Sequence, residues 1–273
     1  MSKGMNNQDT QGTTSTPDTA PVHPVVITPF ALDVVLEGDC IDVMRKWPDG
    51  CVDAIITDPP YGITANQWDN VPQLDVWWAE VWRVCSGPVV MTASQPFTSE
   101  VVMSQRDAFR HEWIWMKNRG SNFANTVREP MKEHESVLVF AKAKWTYNPI
   151  RQPRNGSGEE RAAYKARPTT TQSSNYRDFE AIDAKEIPTD RIPSSIQRFN
   201  TETGLHPTQK PQKLFEYLVM TYTNEGDTVC DPFGGSGTTA AAAQNTGRRY
   251  VSIEAKAEYI EIQRQRLAQK LMF

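Results

Sequence analysis

The chain has 273 residues, 38% of them hydrophobic and 23% charged, which suits a folded protein with one large core or two small ones. No apolar run is long enough to span a membrane, the start lacks a secretory-signal pattern, and four scattered cysteines (Cys40, Cys51, Cys85, Cys230) lack zinc or disulfide spacing, so a metal-free cytoplasmic protein is expected. The net charge of −4 argues against a uniformly basic nucleic-acid binder, yet from Lys142 to Glu202 eleven Lys and Arg face eight Asp and Glu, which allows a local cationic face.

Residues 1–28 are rich in Ser, Thr, Asn, Gln, Asp and Pro, with almost nothing apolar before Val25, and read as a disordered tail. The segments Asp33–Leu36, Val52–Ile56, Pro88–Met91, Trp113–Met116 and Ser136–Phe140 read as short buried strands, with a helix over Leu74–Val84. The tryptophans at 77, 78, 82, 113 and 115 fall at core positions of these elements. His134-Glu135, just before the fifth strand, matches no acid–base or metal pair and reads as structural. Together these elements make the first part of a catalytic domain, residues 29–146. From 147 to 205 apolar periodicity fades and Arg, Pro, Ser, Thr, Asn and Gln dominate, a stretch too long for an idle loop. It is expected to be a disordered insertion or a segment that orders on a partner. A second part, 206–273, opens with a helix capped by Thr208 and carrying Leu214, Leu218 and Val219 up to Tyr222. A strand (Thr228–Cys230), a helix (Thr238–Asn245), a strand (Tyr250–Ile253) and a helix (Ala257–Leu271) complete it. Strands alternating with helices predict a doubly wound, mostly parallel α/β sheet.

Two loops carry the chemistry, each after a predicted strand and so at the edge where such sheets bind ligands. In Asp231-Pro232-Phe233-Gly234-Gly235-Ser236-Gly237, the glycines let the backbone turn tightly and approach a ligand, and the amides opening the next helix can receive an electron-rich group. About 20 residues on, Glu254 ends the next strand, where an acidic residue accepts hydrogen bonds from ribose hydroxyls. No Lys follows the glycines, and Asp231 would repel phosphate while attracting an ammonium or sulfonium. The loop predicts a nucleoside-type cofactor without a polyphosphate.

The second loop is Asp58-Pro59-Pro60-Tyr61. Asp58 can accept from an exocyclic amino group, the prolines stiffen the backbone and leave the Pro59 carbonyl as a second acceptor, and Tyr61 can stack on a base. An aromatic amine is a poor nucleophile because its lone pair is delocalised into the ring. Two acceptors gripping both N–H groups favour a pyramidal nitrogen and localise that pair for attack.

These residues together resemble the S-adenosylmethionine-dependent DNA amino-methyltransferases of the circularly permuted beta group, in which an Asp/Asn/Ser-Pro-Pro-Tyr/Phe motif precedes the cofactor loop. Gly38-Asp39-Cys40 resembles that family's contact to the cofactor adenine, and His206-Pro-Thr-Gln-Lys-Pro211 the segment flanking the methionine end. The resemblance covers about 30–146 and 206–273 and implies a class I methyltransferase sheet of seven strands, one antiparallel, with the chain ends meeting in it. By this carry-over Asp39, Cys40, Asp58, Thr208, Lys210, Asp231, Pro232, Phe233, Gly235, Ser236, Gly237 and Glu254 form the cofactor site. Asp58, Pro59, Pro60 and Tyr61 form the catalytic loop, and residues 147–205 stand where the family has its target-recognition region. The implied activity is sequence-specific transfer of a methyl group to adenine N6 of a base flipped from double-stranded DNA, since a base inside a duplex is out of reach. Family members with Asp at the first motif position mostly methylate adenine; cytosine N4 is the alternative, and a catalytically silent DNA-binding protein a more remote one. Lys117, Asn118, Arg119, Arg151, Arg154, Arg161, Lys165 and Arg167 are the candidate DNA contacts. The resemblance also allows a homodimer and a bacterial or phage origin.

Overall fold

In the computed structural model, which describes residues 1, 30–64, 66, 69–153, 190–204 and 209–269, the apolar runs form strands buried on both faces. The proposed tail, residues 154–189 of the insertion (with Arg154, Arg161, Lys165 and Arg167) and Thr208 lie outside the described residues. In chain order the elements are β1 (Val34–Glu37), α1 (Cys40–Met44), β2 (Ala54–Thr57), α2 (Leu74–Val84), β3 (Val89–Ala93), α3 (Phe97–Ser104), β4 (Phe109–Ser121) and β5 (Lys132–Phe140). They continue with β6 (Gln152–Pro153), β7 (Asp190–Arg191), β8 (Ile196–Arg198), α4 (Gln212–Tyr222), β9 (Thr228–Asp231), α5 (Thr238–Asn245), β10 (Arg249–Glu254) and α6 (Ala257–Ala268).

The main sheet runs β1-β10-β9-β2-β3-β5-β4-β8. All pairings are parallel except those of β5, which is antiparallel to both β3 and β4. The expected seven strands are therefore eight among the described residues. The extra one, β8, lies parallel to β4 in the register Ile114↔Ile196, and three residues are too few to show a periodicity in sequence. It comes from the segment read as an unpatterned insertion, which also supplies the separate β6–β7 ladder.

Successive strand residues point to opposite faces, so each strand feeds two cores. Ile55, Val89 and Met91 pack with Trp77, Trp78, Val81 and Phe97 of α2 and α3. Ile56, Val90 and Val229 pack with Leu214, Phe215, Tyr222 and the alanines 240–243 of α4 and α5. Trp78 is almost fully buried, stacks on Trp82 at 5.1 Å and meets Trp77 and Phe140 edge-on, so its truncation to Ala would cost about 3–5 kcal/mol. The predicted cap at Thr208 does not hold, because α4 starts at Gln212 with Pro211 in the cap position. Proline disfavours helical geometry in the residue before it, which excludes Lys210 from a helix.

From β9 the chain moves to β10 on one side, and from β2 to β3 on the other, so the connections diverge between the neighbouring strands β9 and β2. The crevice above the carboxyl ends of such a pair is where open α/β sheets bind ligands. Thr57 and Asp231, 174 residues apart in sequence, meet there through a buried hydrogen bond of 2.6 Å.

Candidate active site

Asp58 leaves the end of β2 and has three side-chain partners. Its Oδ1 accepts from the Tyr61 hydroxyl at 2.8 Å and from the Thr92 hydroxyl at 2.5 Å, and its Oδ2 pairs with Lys210 Nζ at 2.8 Å. Glu135, at the start of β5, faces the same cluster: its Oε1 pairs with Lys117 Nζ at 2.6 Å, while its Oε2 lies 3.5 Å from Lys210 Nζ and 3.3 Å from the Tyr61 hydroxyl. Burial works against the charge on Lys210, but Asp58 and Glu135 more than offset it and hold its pKa above the usual lysine value. Burial likewise opposes ionisation of Glu135, yet Lys210 and Lys117 prevail and keep its carboxyl below the ordinary range. Burial, then the anions Asp58 and Glu135, push the Tyr61 hydroxyl well above its usual pKa, so it stays a donor. The Tyr61 ring stacks on Phe97 at 5.5 Å, and the Lys210 ammonium lies 5.3 Å from the ring centre.

The shape of this loop depends on a residue that the sequence reading missed. Asp69 accepts four backbone amides, those of Tyr61 and Gly62 on Oδ1 and those of Ile63 and Thr64 on Oδ2, all between 2.7 and 2.9 Å. Burial raises its pKa, but these donors outweigh it and leave the carboxyl below the usual aspartate value. A single Asp amid polar residues gives no sequence signal of such a role; only the turn-rich composition around it does.

The glycine loop is built from β9 and held by two carboxylates. Burial pushes Asp231 up to about 6, against the hydroxyls of Thr239 (2.5 Å) and Thr57 (2.6 Å) and the Phe233 amide (3.0 Å) that it accepts. Its oxygens thus brace the turn. Glu254, at the end of β10, accepts from the amides of Gly235 and Lys256, each at 2.8 Å, and burial raises its pKa. A Cβ on Gly234 would stand 2.1 Å from Ser252 Oγ, so only glycine fits; Gly237 (φ +79°) turns the chain into α5. At Gly235 (φ +49°) a Cβ would find only the Phe233 carbonyl at 3.9 Å, so the space in front of that residue is cavity.

Both loops line one cavity of about 600 Å³, with Asp58–Tyr61 and Lys210 joined there by Asp231, Phe233–Ser236 and Glu254. Pro232 and Gly237 belong to the same loop but do not line the cavity. Asp39 and Cys40 lie away from the lining, at the end of β1: Asp39 caps α1 through the amides of Ile41 and Asp42, and burial of Cys40 pushes its thiol up to about 12. Among the proposed DNA contacts, Lys117 is turned inward onto Glu135, Asn118 holds the Thr201 amide at 2.8 Å, and Arg151 pairs with Asp190 at 2.8 Å on the surface. Arg119 is exposed on the cavity rim. Glu135, read as structural, lines this cavity and contacts Lys117, Lys210 and Tyr61.

A family model for DNA methylases matches residues 52–265. The type II methyltransferase M.HpaI of Haemophilus parainfluenzae is 27% identical over 249 residues, 84% of this chain and 72% of that protein. The solved M1.HpyAVI–SAM complex is 25% identical at a TM-score of 0.57, covering 85% of this chain and 98% of that one. The cytosine-N4-specific PvuII DNA methyltransferase shares the fold, with 17% identity, a TM-score of 0.58 and 87% of each chain covered.

Proposed function

The chain belongs to the DNA methylase family of N6 and N4 methyltransferases, and we propose that it transfers a methyl group from S-adenosylmethionine to adenine N6 of a base flipped out of duplex DNA. One observation carries this reading: the Asp58–Tyr61 loop and the Asp231–Gly237 loop with Glu254 face the same cavity, whose volume lies in the range of small-molecule sites. The cofactor fits the residues present. Gly235 leaves open cavity where any other residue would place a side chain. Two lone-pair positions of Glu254 are taken by backbone amides, which leaves others for ribose hydroxyls. The cofactor loop contains two acidic flanks and no cation, which favours a sulfonium and disfavours a polyphosphate. When bound, S-adenosylmethionine supplies an electrophilic methyl group and leaves as a neutral thioether.

The chain's own residues then act on the amine. A carboxylate has about four lone-pair positions. Tyr61, Thr92 and Lys210 occupy three on Asp58, so one remains for an amine N–H. The Pro59 carbonyl, on the cavity wall, takes the other N–H. Both acceptors draw the nitrogen lone pair out of conjugation. The nitrogen forms the new C–N bond and releases one proton to water. Asp at position 58 supports adenine over cytosine, and the type II relative supports a role in a restriction–modification pair.

The test is incubation of the protein with labelled S-adenosylmethionine and mixed-sequence duplex DNA, followed by nucleoside digestion and mass spectrometry. N6-methyladenine is expected. N4-methylcytosine would keep the mechanism and reverse the base; no methylated base would refute the reading. Asp58→Ala is expected to abolish transfer while the Kd for S-adenosylmethionine stays within about twofold, since the glycine loop and Glu254 remain to hold the cofactor.

A further inference from the structure

Glu135 belongs to neither motif loop, yet it reaches two of the three donors on Asp58 as well as a further lysine. Its carboxylate holds Lys117 at 2.6 Å, stands 3.5 Å from Lys210 and 3.3 Å from the Tyr61 hydroxyl. Lys210 and Tyr61 are in turn two of the three donors on Asp58. The charges balance: Lys117 and Lys210, with side chains 9% and 8% exposed, face the carboxylates Asp58 and Glu135. Each lysine ends on one of these carboxylates, which offsets the desolvation of its ammonium group.

We propose that Glu135 is a positioning residue for methyl transfer, holding Lys210 and the Tyr61 hydroxyl so that Asp58 keeps one orientation toward the amine. The inference rests on the methyl transfer proposed above. Lys210 has two anions within 3.5 Å, and Glu135 is the one that the substrate does not need. Without its charge, two enclosed ammonium groups compete for Asp58 alone. Lys117, which now ends on Glu135, would turn toward Asp58, and the acceptor position reserved for the amine would be lost. A Gln at this position keeps the volume but has a single acceptor oxygen, so its uncharged NH₂ group faces whichever donors that oxygen does not serve.

The experiment compares Glu135→Gln, Lys210→Met and the double variant with wild type, reading the single-turnover rate of DNA methylation and the Kd for S-adenosylmethionine. Glu135→Gln is expected to slow transfer about 100-fold, the scale on which a misplacement of about 1 Å is felt. Its Kd for S-adenosylmethionine should stay within about twofold, a split that a general loss of structure would not give. Because the two residues act on Asp58 as a unit, the double variant should be within about threefold of the slower single variant. A wild-type rate in Glu135→Gln, a parallel loss of rate and cofactor affinity, or single effects that multiply would each overturn the proposal. Should Glu135→Gln not fold, Glu135→Asp keeps the charge but withdraws it by one methylene; a loss of at least about tenfold in rate alone is expected, and an unchanged rate refutes the inference. Wild-type protein that methylates no DNA would instead overturn the underlying reading, and this one with it.

Discussion

Replacing Asp69 by Asn isolates the device that shapes the Asp58–Thr64 loop. The carboxylate accepts four amides from Tyr61 to Thr64, two on each oxygen. A carboxamide has one acceptor oxygen, so at most two of these bonds survive, and its NH₂ group then faces the other two N–H groups. Bonds to a charged group are worth about 1.5–3 kcal/mol each. The loop lies at the rim and its amides can rehydrate, so the low end applies, and two lost bonds give about 3 kcal/mol. That corresponds to a fall of roughly 100-fold in the ratio of ordered to open loop, which sets the ceiling for the loss of kcat/KM on DNA. Cofactor affinity should hold, because the glycine loop is braced by Asp231 and Glu254 instead. The assays are methylation kinetics, cofactor titration, and amide exchange at residues 61–64. The pKa of Asp69 is lowered in the folded state, so its ordering effect is present above the ordinary aspartate value and is lost as pH falls through the folded value. Wild-type kcat/KM and unchanged exchange at residues 61–64 in Asp69→Asn would refute the argument.

Three further outcomes follow from the geometry. Asp231 is raised to about 6, so the stability it contributes is present below the ordinary aspartate value of about 3.9 and is lost as pH rises through about 6. The melting temperature of the wild type should therefore fall relative to Asp231→Asn between about pH 4 and 6; parallel curves would show that burial of this carboxyl has no cost. Gly234→Ala places a Cβ 2.1 Å from Ser252 Oγ and 2.7 Å from Gln263 Nε2, and should weaken cofactor binding and lower the melting temperature, whereas Gly50→Ala, with nothing within 4 Å of its Cβ, should leave cofactor binding unchanged. Equal cofactor affinities would contradict the close fit. Arg119→Gln should reduce the slope of log K against log salt for duplex binding by about 0.9, the value of one phosphate contact. Arg151→Gln should reduce it by less, because Asp190 already neutralises that guanidinium at 2.8 Å, and a larger change for Arg151 would reverse this ranking.

What could be read from sequence was what the chain fixes locally. Leu74–Val84 and Thr238–Asn245 are helices as expected, the first marked by its apolar spacing and the second by the glycine turn before it. The five residues of α1 and the eight of α3 are too short to display a periodicity, and α1 depends on the Asp39 cap. The two motif loops were legible because their glycines and prolines restrict the backbone from within, although Asp69, Thr57 and Glu254 complete their shape. Their pairings were not, although the resemblance already counted Lys210 in the site. Thr92 is 34 residues from Asp58, Lys210 is 152 away, and Glu135 is 74 from Tyr61, so no window along the chain contains the cluster. The available hint was a charge at 135 opening the apolar run 136–140, which a solvent-exposed strand end explains equally well.

The cavity is electrostatically divided, and the division explains why lysines line one part of it and are missing from the other. Around Asp58, two ammonium groups balance two carboxylates, so an uncharged base can enter without facing an unpaired ion. Around the glycine loop the charges on the cavity wall are the carboxylates of Asp231 and Glu254, whose pKa values burial raises, while Arg266 holds the Ser236 carbonyl from outside the lining. That raising measures how poorly the protein alone solvates those anions. A cation arriving beside them relieves the same penalty that an incoming phosphate would aggravate. The pocket is therefore tuned to accept a positively charged donor on one side and a neutral amine on the other, and in the proposed mechanism Asp58 points at the amine only while Lys210 and Tyr61, both within reach of Glu135, hold it there.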